Sequence, residues 1–335
     1  MSSKVLITGI GGFIGSHLME HILDNTDWDI VGIDSFRHKG ITDRITDSRY
    51  YELCKERVTI LTHDLTAPIS PIMVETIGQV DFIINMASES HVDRSIEDPV
   101  PFIRNNVDLT LNMLEYARIS KPRAFIQIST DEVYGPMHGK VAHPEWDTIL
   151  PSNPYSASKA AQEAIAISYW RTYSVPLIIT NTMNNYGERQ DPEKYLPKII
   201  RAVMKGDILT VHGTPEDIGS RFWLHARNHA DALTWLLQYH SPKMFPEFNL
   251  PTRFNVVGDK QINNLEMAQL VAKVSNKPLK FILEDFHSTR PGHDPHYGLD
   301  GSLLKQYGWR PPVNLESSLE KTILWYKANP KWLKL

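Results

Sequence analysis

The chain has 335 residues, enough for two ordinary domains or one large α/β unit with an appendage; 41% hydrophobic and 22% charged residues suit a soluble globular protein. Thirty-five Lys and Arg against 39 Asp and Glu leave a net charge of −4, which argues against a protein that coats nucleic acid, and no apolar run is long enough for a membrane span. The single cysteine, Cys54, excludes an intramolecular disulfide framework or a cysteine-rich zinc site and suits a reducing, cytoplasmic location.

The first apolar run, Lys4-Val5-Leu6-Ile7-Thr8-Gly9, continues to Leu23 and superficially has the look of a secretion signal. Gly9, Gly11, Gly12 and Gly15, followed by His17, Glu20 and His21, interrupt it, so a strand, a glycine-rich turn and a helix fit better. Short, nearly continuous apolar runs then predict strands at Asp29–Asp34, Val58–Asp64, Val80–Ala87, Ala124–Thr130 and Pro176–Thr182, the pattern of strands buried on both faces. Helical periodicity falls between them at Phe13–Asn25, Pro71–Ile77, Pro99–Arg118 and Tyr155–Tyr173. The βαβα order predicts a Rossmann-type, doubly wound parallel sheet in residues 1–183.

Beyond about Asn185 the elements shorten and mix: helices at Lys194–Lys205, Asn228–His240, Asn264–Val274 and Leu315–Lys327, and strands at Thr210–His212 and Phe254–Val257. Pro242, Pro246, Pro251, Pro291, Pro295, Pro311 and Pro312 make this part loop-rich. Residues 184–335 are therefore expected to form a smaller C-terminal α/β substrate lobe, with some chain crossing between the two.

Gly9, Gly12 and Gly15 lie between the first strand and the first helix, where a pyrophosphate needs backbone N–H groups and no intervening side chains. Phe13 and Ile14 open the helix at that turn. Asp34 ends the second strand, where a carboxylate accepts hydrogen bonds from an adenosine ribose and repels a 2′-phosphate, so NAD is expected rather than NADP. Asp64, followed by Leu65, is either an adenine contact or a loop-capping residue, and Ala87 ends the fourth strand on the same side.

The fifth strand ends Ser129-Thr130-Asp131-Glu132-Val133-Tyr134-Gly135, beyond the carboxyl edge of the sheet where ligands of such folds bind. Tyr155 and Lys159 follow on one face of a helix that Pro154 starts. An ammonium beside a phenol would pull the tyrosine pKa toward neutrality and make a base for an alcohol proton. Tyr51/Lys55 and Tyr239/Lys243 share the spacing, but neither follows a Ser-Thr strand end, and both read as surface pairs.

Together these residues resemble the extended short-chain dehydrogenase/reductase superfamily over nearly the whole chain. Ser129–Gly135, Glu89-Ser90-His91-Val92-Asp93-Arg94-Ser95, Asn184-Asn185-Tyr186-Gly187 and Arg290-Pro291-Gly292-His293-Asp294 are similar to the signatures of nucleotide-sugar 4,6-dehydratases, especially those acting on dTDP-glucose. The resemblance implies oxidation of the sugar C4 hydroxyl with Tyr155 as base, Thr130 bonding the C4 oxygen, Glu132 taking the C5 proton and Asp131 protonating the leaving C6 hydroxyl. Two carboxyls in one dry site push their pKa values apart, which suits those two roles.

The resemblance also implies that Asn184 faces both nicotinamide and sugar. On the substrate side it places Ser88, Glu89 and His91, Lys194 at the sugar or phosphate, Arg221 and Arg290 at the diphosphate, and Asn255 and Tyr297 near the nucleotide. It further implies a homodimer through Pro99–Arg118 and Tyr155–Tyr173, and no metal. His225/His229 and His293, Asp294 and His296 are the histidine groupings nearest to a metal pattern, without a full ligand set. Departures from the family pattern are Asn85-Met86 for His and an aliphatic residue, Asn181 for Arg, Glu188 for Pro, Phe222 for Asp, His225-Ala226 for a Tyr-Val-like pair and His296 for Arg. They leave the base and the hexose open, as well as a 5,6-dehydratase, 4-epimerase, decarboxylase or non-catalytic dinucleotide sensor.

Overall fold

The structure, a computed structural model, describes residues 2–37, 39–137, 139, 141–239, 249–285 and 296–334. The apolar runs become strands β1 (Lys4–Thr8), β2 (Asp29–Asp34), β3 (Val58–Thr62), β4 (Phe82–Asn85), β5 (Ala124–Thr130) and β6 (Leu177–Thr182). Short strands β7 (Asn185–Tyr186), β8 (Ile208–His212), β9 (Ser220–Phe222) and β10 (Leu224–His225) precede β11 (Thr252–Val256), β12 (Gln261–Asn263) and β13 (Lys280–Glu284). One seven-stranded sheet runs β11-β6-β5-β4-β1-β2-β3 with every neighbour parallel. This is the predicted Rossmann-type fold, and the strand order reverses between β1 and β4, where such sheets open a crevice.

The helices in chain order are α1 (Phe13–Asn25), α2 (Asp43–Thr46), α3 (Arg49–Cys54), α4 (Pro71–Ile77), α5 (Val92–Glu97), α6 (Pro99–Ser120), α7 (Pro154–Tyr173), α8 (Tyr195–Lys205), α9 (Ala226–Tyr239), α10 (Asn264–Ser275), α11 (Ser302–Gln306) and α12 (Leu315–Ala328). α1 and α9 cover one sheet face, with Leu18, Met19 and Ile22 packed with Leu233, Leu236 and Leu237. α6 and α7 belong to the opposite core, through Leu109, Met113, Leu114 and Ala166. Apart from the edge strand β3, whose residues are exposed or half-buried, the strands of the main sheet are buried almost along their whole length, as strands covered on both faces are.

The later half of the chain serves two cores. α9, β11 and α11 pack into the same core as α1, while α8, α10 and α12 build a separate core from Ile199, Ile200, Met267, Val271, Leu319 and Ile323. Three differences from expectation have physical reasons. Val80–Ala87 shortens to Phe82–Asn85 because Met86 and Ala87 turn across the sheet crest, where both N–H groups donate to Thr8 Oγ1 at 3.0 Å. The Asn228–His240 helix starts earlier, at Ala226, and His240 lies outside the described residues. β13 was not expected: its apolar run, Phe281-Ile282-Leu283, is short, and its first three residues are exposed in a two-stranded pair with β8.

Candidate active site

A cavity of about 770 Å³ opens over the carboxyl edge of the sheet and takes its walls from both halves of the chain. At one end the chain leaves β1 through Gly9 (φ +73°), and a side chain on Gly15 would run into the Gly9 carbonyl. Gly12 caps α1 without a side-chain acceptor, so the first-turn N–H groups of this helix have no side-chain cap. Gly9, Gly12, Phe13, Ile14 and Gly15 all line the cavity.

Asp34 is buried beside this turn, with Oδ2 accepting from Gly11 N and Oδ1 from Phe36 N, both at 2.9 Å. Arg37, which follows Asp34 closely in the chain, is 2.5 Å from Asp64. Asp64, Leu65 and Ala87 line the cavity with Asp34.

At the other end, Thr130 Oγ1 donates to Asp131 Oδ1 at 2.8 Å and caps the turn that begins there by accepting from Glu132 N at 3.4 Å. Asp131 Oδ2 is buried with no partner. Glu132 Oε2 accepts from Asn153 Nδ2 at 3.2 Å, and Asn153 also closes a capping box at the start of α7. One cap therefore fixes both Glu132 and the helix carrying Tyr155. Burial pushes Asp131 up to about 6; burial and the Asp131 charge push Glu132 up to about 7, against opposing pulls from Arg221 and Lys194.

The tyrosine–lysine expectation needs correction. Burial raises the Tyr155 phenol far above its ordinary value, Glu132 and Asp131 raise it further, and the Thr130 hydroxyl is the opposing influence. Lys159 Nζ, buried, donates to Ile128 O at 2.7 Å, and burial brings its ammonium down to about 8. The spacing placed both residues at the cavity, but the lysine is anchored to a sheet carbonyl and does not lower the phenol.

Ser88, Glu89, His91, Asn184, Lys194, Arg221 and Tyr297 line the same cavity. Lys194 Nζ donates to Ser90 O at 3.1 Å, and the Arg221 guanidinium lies 4.7 Å from the centre of the Tyr297 ring. Asn255 is elsewhere: fully buried on β11, it donates through Nδ2 to His143 O at 3.0 Å and Asp300 O at 3.1 Å, so its amide secures loops below the site and does not face the cavity. Arg290 lies outside the described residues.

Several lining residues escaped the sequence reading. Glu193 Oε2 bridges the cleft to Lys39 Nζ at 3.1 Å and Arg94 Nη2 at 3.2 Å, and Lys39 also meets Asp191 at 2.9 Å. Lys194, Lys198 and Arg201 put a basic stripe on the cavity side of α8, opposite its buried Leu196, Ile199, Ile200 and Val203. Their helical spacing was the available signal. Tyr195 stacks on Trp223 at 6.1 Å beside them. Among the described residues, no group of three or more His, Cys, Asp or Glu is arranged to hold a metal ion.

The family model described as GDP-mannose 4,6 dehydratase matches residues 6–322. The dTDP-glucose 4,6-dehydratase of Escherichia coli is 35% identical over 98% of this chain and 95% of its own length. The low-salt glycan biosynthesis protein Agl12 of Haloferax volcanii is 34% identical over 96% of this chain and 98% of its own. Among solved structures, the dTDP-glucose 4,6-dehydratase of Streptomyces venezuelae with NAD bound superposes with a TM-score of 0.85 at 28% identity, covering 98% of each chain. The chain belongs to the nucleotide-sugar 4,6-dehydratase family of extended short-chain dehydrogenases/reductases.

Proposed function

We propose that this protein binds NAD and dehydrates a nucleotide-diphosphate hexose, NDP-glucose to NDP-4-keto-6-deoxyglucose, as a hydro-lyase. The observation that carries the reading is that Thr130, Asp131, Glu132, Tyr155 and Lys159 share one cavity with the glycine turn. The residues fit the cofactor: an uncapped helix start for a pyrophosphate, and a carboxylate beside it whose neighbouring arginine is already paired. When bound, NAD supplies the hydride acceptor for C4 and the hydride donor for C6, so the cycle needs no outside reductant.

The chain's own groups move the protons. Tyr155 receives the C4 hydroxyl proton as the phenolate, a form the cofactor-free site disfavours and the remaining Lys159 N–H donors would have to stabilise; Thr130 bonds the C4 oxygen, and the resulting ketone acidifies C5–H. Glu132 removes the C5 proton, Asp131 gives a proton to the departing C6 hydroxyl, and water leaves; once C6 is reduced, Glu132 returns its proton to C5, and the proton taken by Tyr155 replaces the one Asp131 gave up. Raised carboxyl pKa values let one of the pair hold a proton near neutral pH, as acid–base work on an alcohol requires. Lys159 has two further N–H donors beyond the one spent on Ile128 O, and these are available to the C4 side of the site. Lys194 and Arg221 provide cations for the diphosphate.

We also read the protein as a cytoplasmic homodimer. A single half-buried cysteine suits a reducing compartment. Val100 and Leu111 stand exposed on α6, with Ile103 and Val107 on the same helical stripe, next to α7. The division of labour follows the chain, residues 1–183 holding the cofactor and 184–335 the nucleotide sugar, with α9 and β11 crossing back.

The test is incubation with dTDP-glucose, UDP-glucose and UDP-N-acetylhexosamines, with mass spectrometry for loss of one water and assay of NAD released on denaturation. Water loss from dTDP-glucose, with NAD retained by the purified protein, is expected. Conversion of the N-acetylhexosamines alone would keep the chemistry and change the hexose; no water loss from any of them would overturn the reading.

A further inference from the structure

Beside the cavity, outside its proton-transfer groups, four polar side chains form a line. Gln261 Nε2 donates to Ser220 Oγ at 2.9 Å, Ser220 Oγ meets His296 Nδ1 at 2.9 Å, and His296 Nε2 meets Asp217 Oδ1 at 2.6 Å. The direction of the bonds follows from the ends. A carboxylate at Asp217 only accepts, so Nε2 carries the proton; Nδ1 then accepts from the Ser220 hydroxyl, which takes its own bond from Gln261.

The line joins two backbones. Ser220 on β9 and His296 form a parallel bridge, β9 pairs on its other side with β12, and the His296 carbonyl accepts from Met137 N at 3.2 Å. The next residue on each backbone is a cavity residue: Arg221 after Ser220 and Tyr297 after His296. Arg221 Nη1 also donates to Ser220 O at 2.9 Å, so the guanidinium depends on the position of that residue in two ways.

Serine, histidine and aspartate in a row are also the parts of an acyl-transfer triad. The hollow beside them, however, is lined by Glu216, Asp217 and Glu266, whose carboxylates oppose an oxyanion. The line is placed instead to hold something already facing the cavity.

We infer that His296 is a positioning residue for nucleotide-sugar binding: through Ser220 and Asp217 it ties β9 to the segment that carries Tyr297 and so sets Arg221 against Tyr297 at the diphosphate end of the cavity. The inference rests on the substrate reading above and deepens it. His296 touches no reacting atom, so its loss weakens binding and spares the chemical step.

The experiment uses the full chain loaded with NAD. Steady-state rates with dTDP-glucose and calorimetric binding of dTDP are measured for wild type, His296→Ala, His296→Asn, Arg221→Ala and the His296/Arg221 double alanine variant. His296→Ala is expected to raise KM and the dTDP Kd about tenfold while kcat stays within about twofold. His296→Asn, which keeps an acceptor near the Nδ1 position, recovers most of that loss. The double variant is no worse than Arg221→Ala, because the histidine acts through the arginine.

An unchanged Kd in His296→Ala overturns the inference, as does a loss that adds fully to that of Arg221→Ala. A fall in kcat with KM unmoved does the same. If wild type binds dTDP but dehydrates nothing, the reaction is wrong and the Kd comparison still decides the role of His296. If wild type binds neither dTDP nor UDP, both readings fall; if it binds UDP alone, the same Kd comparison is made with UDP.

Discussion

At the scale of single residues, the site holds two carboxyls the fold prefers protonated. Asp131 and Glu132 are pushed up to about 6 and about 7, burial being the largest cause in each. The folded chain therefore binds protons more tightly than the unfolded chain between the ordinary carboxylate range and neutrality. Stability accordingly falls as pH rises through that window and stays lower above it. Glu132→Gln removes one ionisation while leaving an oxygen for Asn153 Nδ2. In cofactor-free protein the variant is expected to be more stable than wild type at pH 8, by on the order of 1–3 kcal/mol, and nearly equal to it at pH 4.5. Turnover should drop by about 10² to 10⁴ if Glu132 is the base. Calorimetry at the two pH values reads the first, and a variant less stable than wild type at pH 8 would mean that the site favours the ionised pair. Tyr155 carries the same lesson. Its position was legible from the motif, but its electrostatics were not, because the carbonyl that takes Lys159 comes from a strand thirty residues earlier in the chain.

At the scale of elements, legibility followed burial. β1, β2, β4, β5 and β6 were readable because each is almost wholly buried and contains a cluster of large apolar residues, whereas β13, with its first three residues exposed, offered only the short run Phe281-Ile282-Leu283. The glycine turn and the strand-end carboxylates were readable because chemistry and backbone demand particular residue types there. Asn255 was misplaced because its partners, His143 O and Asp300 O, come from loops that only the tertiary fold brings together. The α6–α7 pair has a prediction of its own. Val100, 57% exposed, and Leu111, 39% exposed, lie on one stripe of α6, the face on which the proposed dimer would form. Leu111→Arg is expected to convert a dimer to a monomer in sedimentation experiments, with far-ultraviolet circular dichroism unchanged. Retention of the wild-type mass by the variant, or a monomeric wild type, would remove this face as the interface.

At the scale of the whole molecule, the two halves meet at one buried acid. Glu188 follows the Asn184–Gly187 segment, and its Oε2 lies 3.4 Å from His17 Nε2 on α1 and 3.3 Å from His225 Nε2 at the end of β10. Its Oε1 faces Arg227 at 3.7 Å, and His225 Nε2 also reaches Thr322 on α12 at 3.2 Å. His225 Nδ1 accepts from Arg227 N at 3.1 Å, so its ring proton sits on Nε2 and points at the acid; His17 Nδ1 faces the Phe13 carbonyl at 2.9 Å, so His17 donates to the acid through Nε2 only as the doubly protonated ring. Despite its burial, Glu188 is held far below the ordinary carboxylate range by hydrogen bonds from His17 and His225 and by the charges around it. A depressed folded-state pKa means that the contribution is complete above the ordinary carboxylate value and is lost only as pH falls through it. Glu188→Gln breaks the joint and leaves two imidazoles without their shared acceptor. It is expected to lower unfolding stability by about 2–4 kcal/mol from pH 8 down to about 5, the gap narrowing below about pH 4. Because α1 and β10 meet at this carboxylate and α12 is tied to it through His225, hydrogen exchange should speed up in the three together, in both cores, while α6 keeps its protection. If exchange rises in only one of them, or if the stability gap widens with acid, Glu188 does not join the cofactor helix to the substrate half.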